Sequence, residues 1–241
     1  MLISGIQKFT TLDFPEKLAC IVFTPGCNFR CGYCHNPEFV LPEKIAQLKS
    51  SFIPEEAFWN FLKKRGKRER DSAPLLDGVV ISGGEPTVMP DLVPFMEKIK
   101  SLGFLVKLDT NGNRPEVIEQ AMKRGAADYI AMDVKTSLAE YQRLAGSLAR
   151  AENIKRSIEL IKAGGVAYEF RSTLIREIHT PDILSDMREL VRGAKQLFLQ
   201  SFRPGQTLNP TFGAYQPFTE AEMRELERWF GEAVERVERR Q

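Results

Sequence analysis

The chain has 241 residues, 43% hydrophobic and 27% charged, with no polar low-complexity tract, which suits a folded chain with a substantial core and excludes a disordered one. Its formal net charge of +2 is too small to make a nucleic-acid binder by bulk electrostatics. Residues 1–10 lack the apolar run of a secretory signal, and no window approaches the ~18 uncharged apolar residues of a membrane span, so a cytoplasmic protein without membrane or nucleic-acid partners is expected.

In chain order, apolar β-branched segments alternate with helical patterns. Strands are expected over 18–24, 78–82, 104–110, 128–134, 167–174 and 196–202. Pro54, Pro115 and Pro181 suit first-turn helix positions, and Gly103, Gly125, Gly164 and Gly193 sit where helices should stop. Leu92, Met96, Ile99 and Leu102 form a stripe at helical spacing, as do Ile183, Leu184, Met187, Leu190 and Val191, and both read as core. A last helix opens with Thr219 and Glu222 in capping-box register and carries Met223, Leu226, Phe230, Val234 and Val237.

Repeated strand-helix-strand units cross over right-handed and generate a parallel sheet. Six units are too few for a complete eightfold barrel, so the expected fold is α/β, a partial (β/α)6 barrel, with an open doubly wound sheet as the alternative. One domain over 1–241 is expected: a short N-terminal extension (1–17), a barrel core (18–202), and a C-terminal loop and helix (203–241). Residues 63–70 carry six basic side chains among eight, read as a solvated helix end and loop that could instead dock an acidic partner.

Three of the four cysteines fall within eight positions, Cys27-Asn28-Phe29-Arg30-Cys31-Gly32-Tyr33-Cys34, directly after the first expected strand. This is a poor disulfide framework and a good metal-site pattern. Zinc would want a fourth ligand, for which only Cys20 and His35 are near in sequence, whereas three thiolates suit a cluster with one open iron; spacing alone leaves both readings standing. Cys20 lies in Leu18-Ala19-Cys20-Ile21-Val22-Phe23 and reads as a small buried hydrophobe. The chain has no G-x-G-x-x-G, Walker A or H-E-x-x-H motif.

The C-x3-C-x2-C loop with an aromatic before its last cysteine resembles the signature of the radical S-adenosylmethionine (SAM) superfamily. Leu12-Asp13-Phe14-Pro15, together with Phe23-Thr24-Pro25-Gly26 before the loop and His35-Asn36-Pro37 after it, resembles activating proteins of anaerobic ribonucleoside-triphosphate reductase and is similar also to pyruvate formate-lyase activators. The resemblance implies a radical SAM oxidoreductase with one [4Fe-4S] cluster on Cys27, Cys31 and Cys34. It implies a cofactor site that also takes in Tyr33, Gly83, Gly84 and Glu85 from Ser82-Gly83-Gly84-Glu85-Pro86, and Asp109 and Asn111 from Asp109-Thr110-Asn111-Gly112. Asp133 and Lys135 join them from Met132-Asp133-Val134-Lys135. By that resemblance Gly83, Gly84, Glu85 and Asp109 meet the SAM amino group, Asp133 the ribose hydroxyls and Lys135 the carboxylate.

The implied partners are a glycyl-radical enzyme and a low-potential electron donor such as flavodoxin or ferredoxin. Arg171 reads equally as a partner of SAM or substrate and as half of a salt bridge with Glu169 or Asp133. His35 could tune the cluster, His179 reads as structural, and residues 203–206 and 209–217 read as a surface loop or as walls of a substrate mouth. The competing functions are a radical SAM enzyme acting on a small molecule, like 7-carboxy-7-deazaguanine synthase, and a non-catalytic metal or electron-transfer module.

Overall fold

A computed structural model describes residues 1–66 and 75–240. Its strands hydrogen-bond in chain order: β1 (Gly5–Thr10), β2 (Ala19–Thr24), β3 (Gly78–Gly83), β4 (Leu105–Thr110), β5 (Tyr129–Asp133), β6 (Ala167–Leu174), β7 (Gln196–Ser201) and β8 (Arg236–Arg240). The helices are α1 (Pro42–Leu48), α2 (Glu55–Lys63), α3 (Leu92–Ser101), α4 (Pro115–Lys123), α5 (Tyr141–Ala145), α6 (Ala151–Ala163), α7 (Pro181–Leu190) and α8 (Glu220–Gly231). The six expected strands are β2 to β7, and the α/β class is borne out. No helix among the described residues is long and apolar enough to cross a membrane.

Two strands were not foreseen. The N-terminal extension supplies β1, which pairs antiparallel with β2 across a register shift between Gln7 and Thr10. The last helix stops at Gly231 instead of continuing to Val237, and the chain turns into β8, which runs parallel to β7 with Val237 opposite Leu197. What favours the strand is visible at its end, where Arg240 pairs with buried Glu169 at 3.0 Å and lies 3.3 Å over the Phe198 ring. Helix punctuation follows the expected residues with two adjustments. Pro54 is the N-cap of α2, one position before the helix, and Gly164 is right-handed while Gly165 carries the positive φ of 72° after α6. The capping box at Thr219 and Glu222 is present. The basic run at 63–70 lies from position 67 onward outside the described residues.

Backbone contacts group the chain into two compact units: Met1–Cys27, Glu38–Thr110 and Glu116–Ile130 in one, and Asn28–Pro37, Asn111–Pro115 and Ala131–Gln241 in the other. In the first, β2, β3 and β4 pair in parallel, and Phe14, Ala19, Ile21, Val80 and Tyr129 form a buried cluster joined by Phe23 and Leu105. A Cβ at Gly78 would stand 2.9 Å from the Phe14 ring, so this glycine is what lets Phe14 sit there. A second apolar group joins α2 to α3, where the rings of Phe58, Trp59 and Phe95 meet with centroids 4.9 to 5.4 Å apart. In the second unit β6, β7 and β8 pair in parallel, with Tyr168, Phe170, Ser172 and Leu174 buried along one face of β6.

Candidate functional site

In the first unit the segment that leaves β2 toward Cys27 is stitched to the turn after β3. Gly84 N donates to Thr24 O at 2.9 Å, Glu85 N to Gly26 O at 2.8 Å, and Gly26 N to Phe39 O at 2.8 Å. A Cβ at Gly83 would come within 2.3 Å of Thr24 N, and one at Gly84 within 2.1 Å of Gly26 O; Gly83 also has a φ of 120°. Backbone packing therefore demands both glycines, whatever else they bind.

Glu85 is buried, and its Oε1 accepts from the Thr87 amide at 3.1 Å, the Thr87 hydroxyl, and the Thr110 hydroxyl at 2.7 Å. Three donors on one oxygen fix the carboxylate in place. On β4, Asp109 is paired at 2.6 Å with Lys107, a lysine only 1% exposed. Lys107 was missed in the sequence, although a lysine among apolar strand residues is the same signal that marked Arg171.

In the second unit the cysteine loop is held from several sides. Asn28 Oδ1 accepts from Asn111 Nδ2 at 2.8 Å, and Asn111 Oδ1 in turn accepts the Asn113 amide at 3.0 Å. Arg30 N donates to Ala145 O at 2.7 Å, and the Phe29 ring meets the Tyr141 ring edge-on, centroids 6.4 Å apart. Cys34 N closes a tight turn onto Cys31 O at 3.0 Å.

A strap from the C-terminal part of the chain lies along this loop. Leu208 N donates to Cys34 O at 2.8 Å and Asn209 N to Gly32 O at 2.9 Å, while the Phe212 ring fills the space where a Cβ on Gly32 would stand, 2.3 Å away. Residues 209–217, read from sequence as a surface loop or a mouth, thus include a support of the cysteine loop. His35 is exposed, stacks on Phe202 at 5.7 Å and has its Nε2 2.8 Å from Arg203 O.

Behind the loop is a cluster of charge. Asp133, at the end of β5, accepts from Lys135 Nζ at 3.0 Å and from Arg171 Nε at 2.9 Å. The salt-bridge reading of Arg171 therefore holds with Asp133, while Glu169 is taken by Arg240. Burial would raise the Asp133 pKa, but the two cations outweigh it and hold the carboxyl at about 2; burial would lower the Lys135 pKa, but Asp133 above all holds the ammonium well above its usual range.

Lys135 acts on Cys31. Burial pushes the Cys31 thiol up to about 11, with Lys135 the largest influence against it, a backbone hydrogen bond a smaller one, and Cys34 and Asp133 adding to the rise. Burial likewise lifts Tyr33 above the ordinary phenol range. Lys135 is itself clamped: its N–H donates to the Tyr141 hydroxyl at 3.0 Å, and its carbonyl lies 3.0 Å from His179 Nε2. Neither Tyr141 nor this contact of His179 was foreseen.

The donor set fits an iron-sulfur cluster chemically. It offers thiols, none of the four cysteines is disulfide-bonded, and Cys31 is a buried thiol whose ionised form has a cation to stabilise it. Cys20 stands apart, wholly buried in β2 with its thiol pushed by burial to about 12, as expected of a core residue. Among the described residues no three His, Cys, Asp or Glu side chains gather round a point to hold a single metal ion.

A family model for the radical SAM superfamily matches residues 21–192. A Methanocaldococcus jannaschii protein with the provisional name glycyl-radical enzyme activating enzyme is 32% identical over 230 residues, 93% of this chain and 90% of its own length. The pyruvate formate-lyase-activating enzyme of Streptococcus mutans is 29% identical over 140 residues, 56% of this chain and half of that enzyme. Among solved structures, Streptococcus suis SuiB bound to its precursor peptide SuiA superposes with a TM-score of 0.60 at 14% identity, over 90% of this chain and 48% of SuiB. TYW1 with a lysine-pyruvate adduct gives 0.56 at 18%, over 90% of this chain and 74% of TYW1, and both likenesses concern the fold. The chain belongs to the radical SAM superfamily, whose members use S-adenosylmethionine and a [4Fe-4S] cluster, and it is a relative of the glycyl-radical activating enzymes.

Proposed function

We propose that this chain is a glycyl-radical enzyme activase that draws a hydrogen atom from a glycine of a partner enzyme, and that the partner is an anaerobic ribonucleoside-triphosphate reductase. On this reading Cys27, Cys31 and Cys34 would hold one [4Fe-4S] cluster, and Tyr33, Gly83, Gly84, Glu85, Asp109, Asn111, Asp133, Lys135 and Arg171 would form the cofactor site. A low-potential donor of the flavodoxin or ferredoxin class supplies the electron. A cluster held there would supply the electron for reductive cleavage of SAM to methionine and a 5′-deoxyadenosyl radical.

The chain's own residues bind, orient and shield. The observation that carries the reading is the half-buried cluster of Lys135, Asp133 and Arg171, whose Lys135 is near enough to Cys31 to favour its thiolate. Such an ammonium suits both an anionic thiolate and the carboxylate of SAM. Asp109 and Glu85 supply acceptors for an ammonium in the first unit, with Lys107 and the Thr87 and Thr110 hydroxyls holding them. The reductase as partner rests on the motif resemblance around Phe14 and the cysteine loop, and the relatives' names support an activase in general.

The test is anoxic incubation of the reconstituted protein with SAM, a reductant and an anaerobic ribonucleotide reductase. The expected result is a glycyl-radical EPR doublet on the reductase with formation of 5′-deoxyadenosine. SAM cleavage driven by a small molecule, with no doublet, overturns it in favour of a deazaguanine-synthase-like enzyme.

A further inference from the structure

On β4 the side chains of Leu105, Lys107 and Asp109 alternate onto one face of the sheet. The parallel register sets Lys107 beside Val80 of β3, and Val80 beside Ile21 of β2. Val80, Ile21, Leu105 and Tyr129 all belong to the apolar cluster of the first unit. Lys107 carries an ammonium into this layer, where it is 1% exposed, 2.6 Å from Asp109 Oδ1 and 5.9 Å from the centre of the Tyr129 ring.

Lysine is almost never buried so completely, because its ammonium must be stripped of water. The Asp109 carboxylate and the Tyr129 face offset part of that cost. An unbranched apolar side chain would fill the same place without it, and replacing a buried ion pair by apolar residues is often neutral or stabilising. Stability therefore does not account for a cation here. At 1% exposure Lys107 does not reach a ligand itself, whereas Asp109, 13% exposed near the end of β4, does. What the lysine can act on is the aspartate.

We propose that Lys107 is a positioning residue of the cofactor site: it keeps Asp109 ionised and aimed, and through it makes the site selective for a ligand that carries a primary ammonium. A carboxylate alone in a desolvated wall takes up a proton or turns to another donor. With the Lys107 ammonium on Oδ1 it does neither. Nor does the lysine use up the acceptor, because a carboxylate can take two cations, one on each oxygen. Asp133 does so in this chain, with Arg171 on Oδ1 at 2.9 Å and Lys135 on Oδ2 at 3.0 Å. Repulsion between two ammonium groups held in that way is the smaller effect, since each stands closer to the carboxylate than to the other.

The inference rests on the reading of Asp109 as an acceptor for the SAM ammonium, and one set of binding measurements separates the two failures. Anoxically reconstituted full-length protein, without reductant so that no SAM is consumed, is dialysed to equilibrium against radiolabelled SAM or 5′-methylthioadenosine, which keeps the nucleoside but has no ammonium. Lys107→Met should raise the Kd for SAM about tenfold and that for methylthioadenosine less than about twofold, because the lost charge is felt only at the ammonium. Lys107→Arg, which keeps a cation for Asp109, should stay within about threefold of wild type for both ligands. Lys107→Met/Asp109→Asn, which leaves no buried ion alone, should lose at least as much SAM affinity as Lys107→Met. Iron content and thermal unfolding check that each variant is folded and loaded. If Lys107→Met keeps the wild-type Kd for SAM while the double variant loses it, or if Lys107→Met loses both ligands equally, the positioning role alone is overturned. If the double variant also binds SAM like the wild type, the reading of Asp109 falls with it.

Discussion

The imidazole of His179 is locked by backbone groups: Nδ1 lies 2.9 Å from Ile175 N and 3.1 Å from Ile175 O, and Nε2 faces the carbonyl of Lys135 at 3.0 Å. In the neutral ring Ile175 N–H donates to Nδ1 and the proton sits on Nε2, which donates to Lys135 O. His179→Leu should strand an amide and a carbonyl in the interior and cost about 2–4 kcal/mol in urea unfolding. Burial lowers the His179 pKa from its usual 6.5. The unfolded chain therefore takes up the proton first, so wild-type stability is full above about pH 6.5 and falls as pH drops below it. His179→Leu should lack that part of the dependence, which unfolding curves at pH 7.5 and 5.5 will measure.

Asp133 acts in the same direction, but at lower pH. Its folded pKa of about 2 lies below the ordinary 3.8, so its stabilisation is present above pH 3.8 and is lost as pH falls toward 2. Asp133→Asn should destabilise by on the order of 1 kcal/mol at pH 5, the pair being partly open to water, with little difference from wild type at pH 2. Parallel acid denaturation of the two proteins is the check, and a gap that persists at pH 2 would count against the ion-pair account.

Gly32→Ala should drive a methyl into the Phe212 ring. The expected cost is about 1–3 kcal/mol, with faster loss of iron on chelation. Adding Phe212→Ala should restore part of both, so that the double variant is less impaired than the sum of the single ones.

Cys31→Ala should abolish iron retention and SAM cleavage together. Cys20→Ala should keep both and lose about 1 kcal/mol of packing. Iron analysis and thermal unfolding distinguish the two outcomes.

Much of this was written in the sequence. Six strands could be read because each is a short apolar run ended by turn residues, and the cysteine loop stood out by spacing. The end strands were hidden for different reasons. Residues of β8, Arg236-Val237-Glu238-Arg239-Arg240, have the polarity of a helix surface, and what holds them is distant: the Arg240 contacts to Glu169 and Phe198. Gly83 and Gly84 were legible as a turn, but their need for close backbone approach to Thr24 and Gly26 was not. Tyr141 and the Phe212 strap meet the site only through pairings that no local pattern encodes, whereas Lys107 carried a local signal, a lysine among apolar strand residues two positions from Asp109.

The strap also sets an order of events during synthesis. Its contacts at Leu208, Asn209 and Phe212 reach the cysteine loop from about 170 residues further along the chain. At ribosomal speeds of roughly 5–20 residues per second, the loop waits on the order of 10–35 s for its support. The thiols are thus translated early and braced late, which makes cluster loading an event that follows translation, and gives the iron-delivery machinery a flexible loop to work on before the strap closes over it.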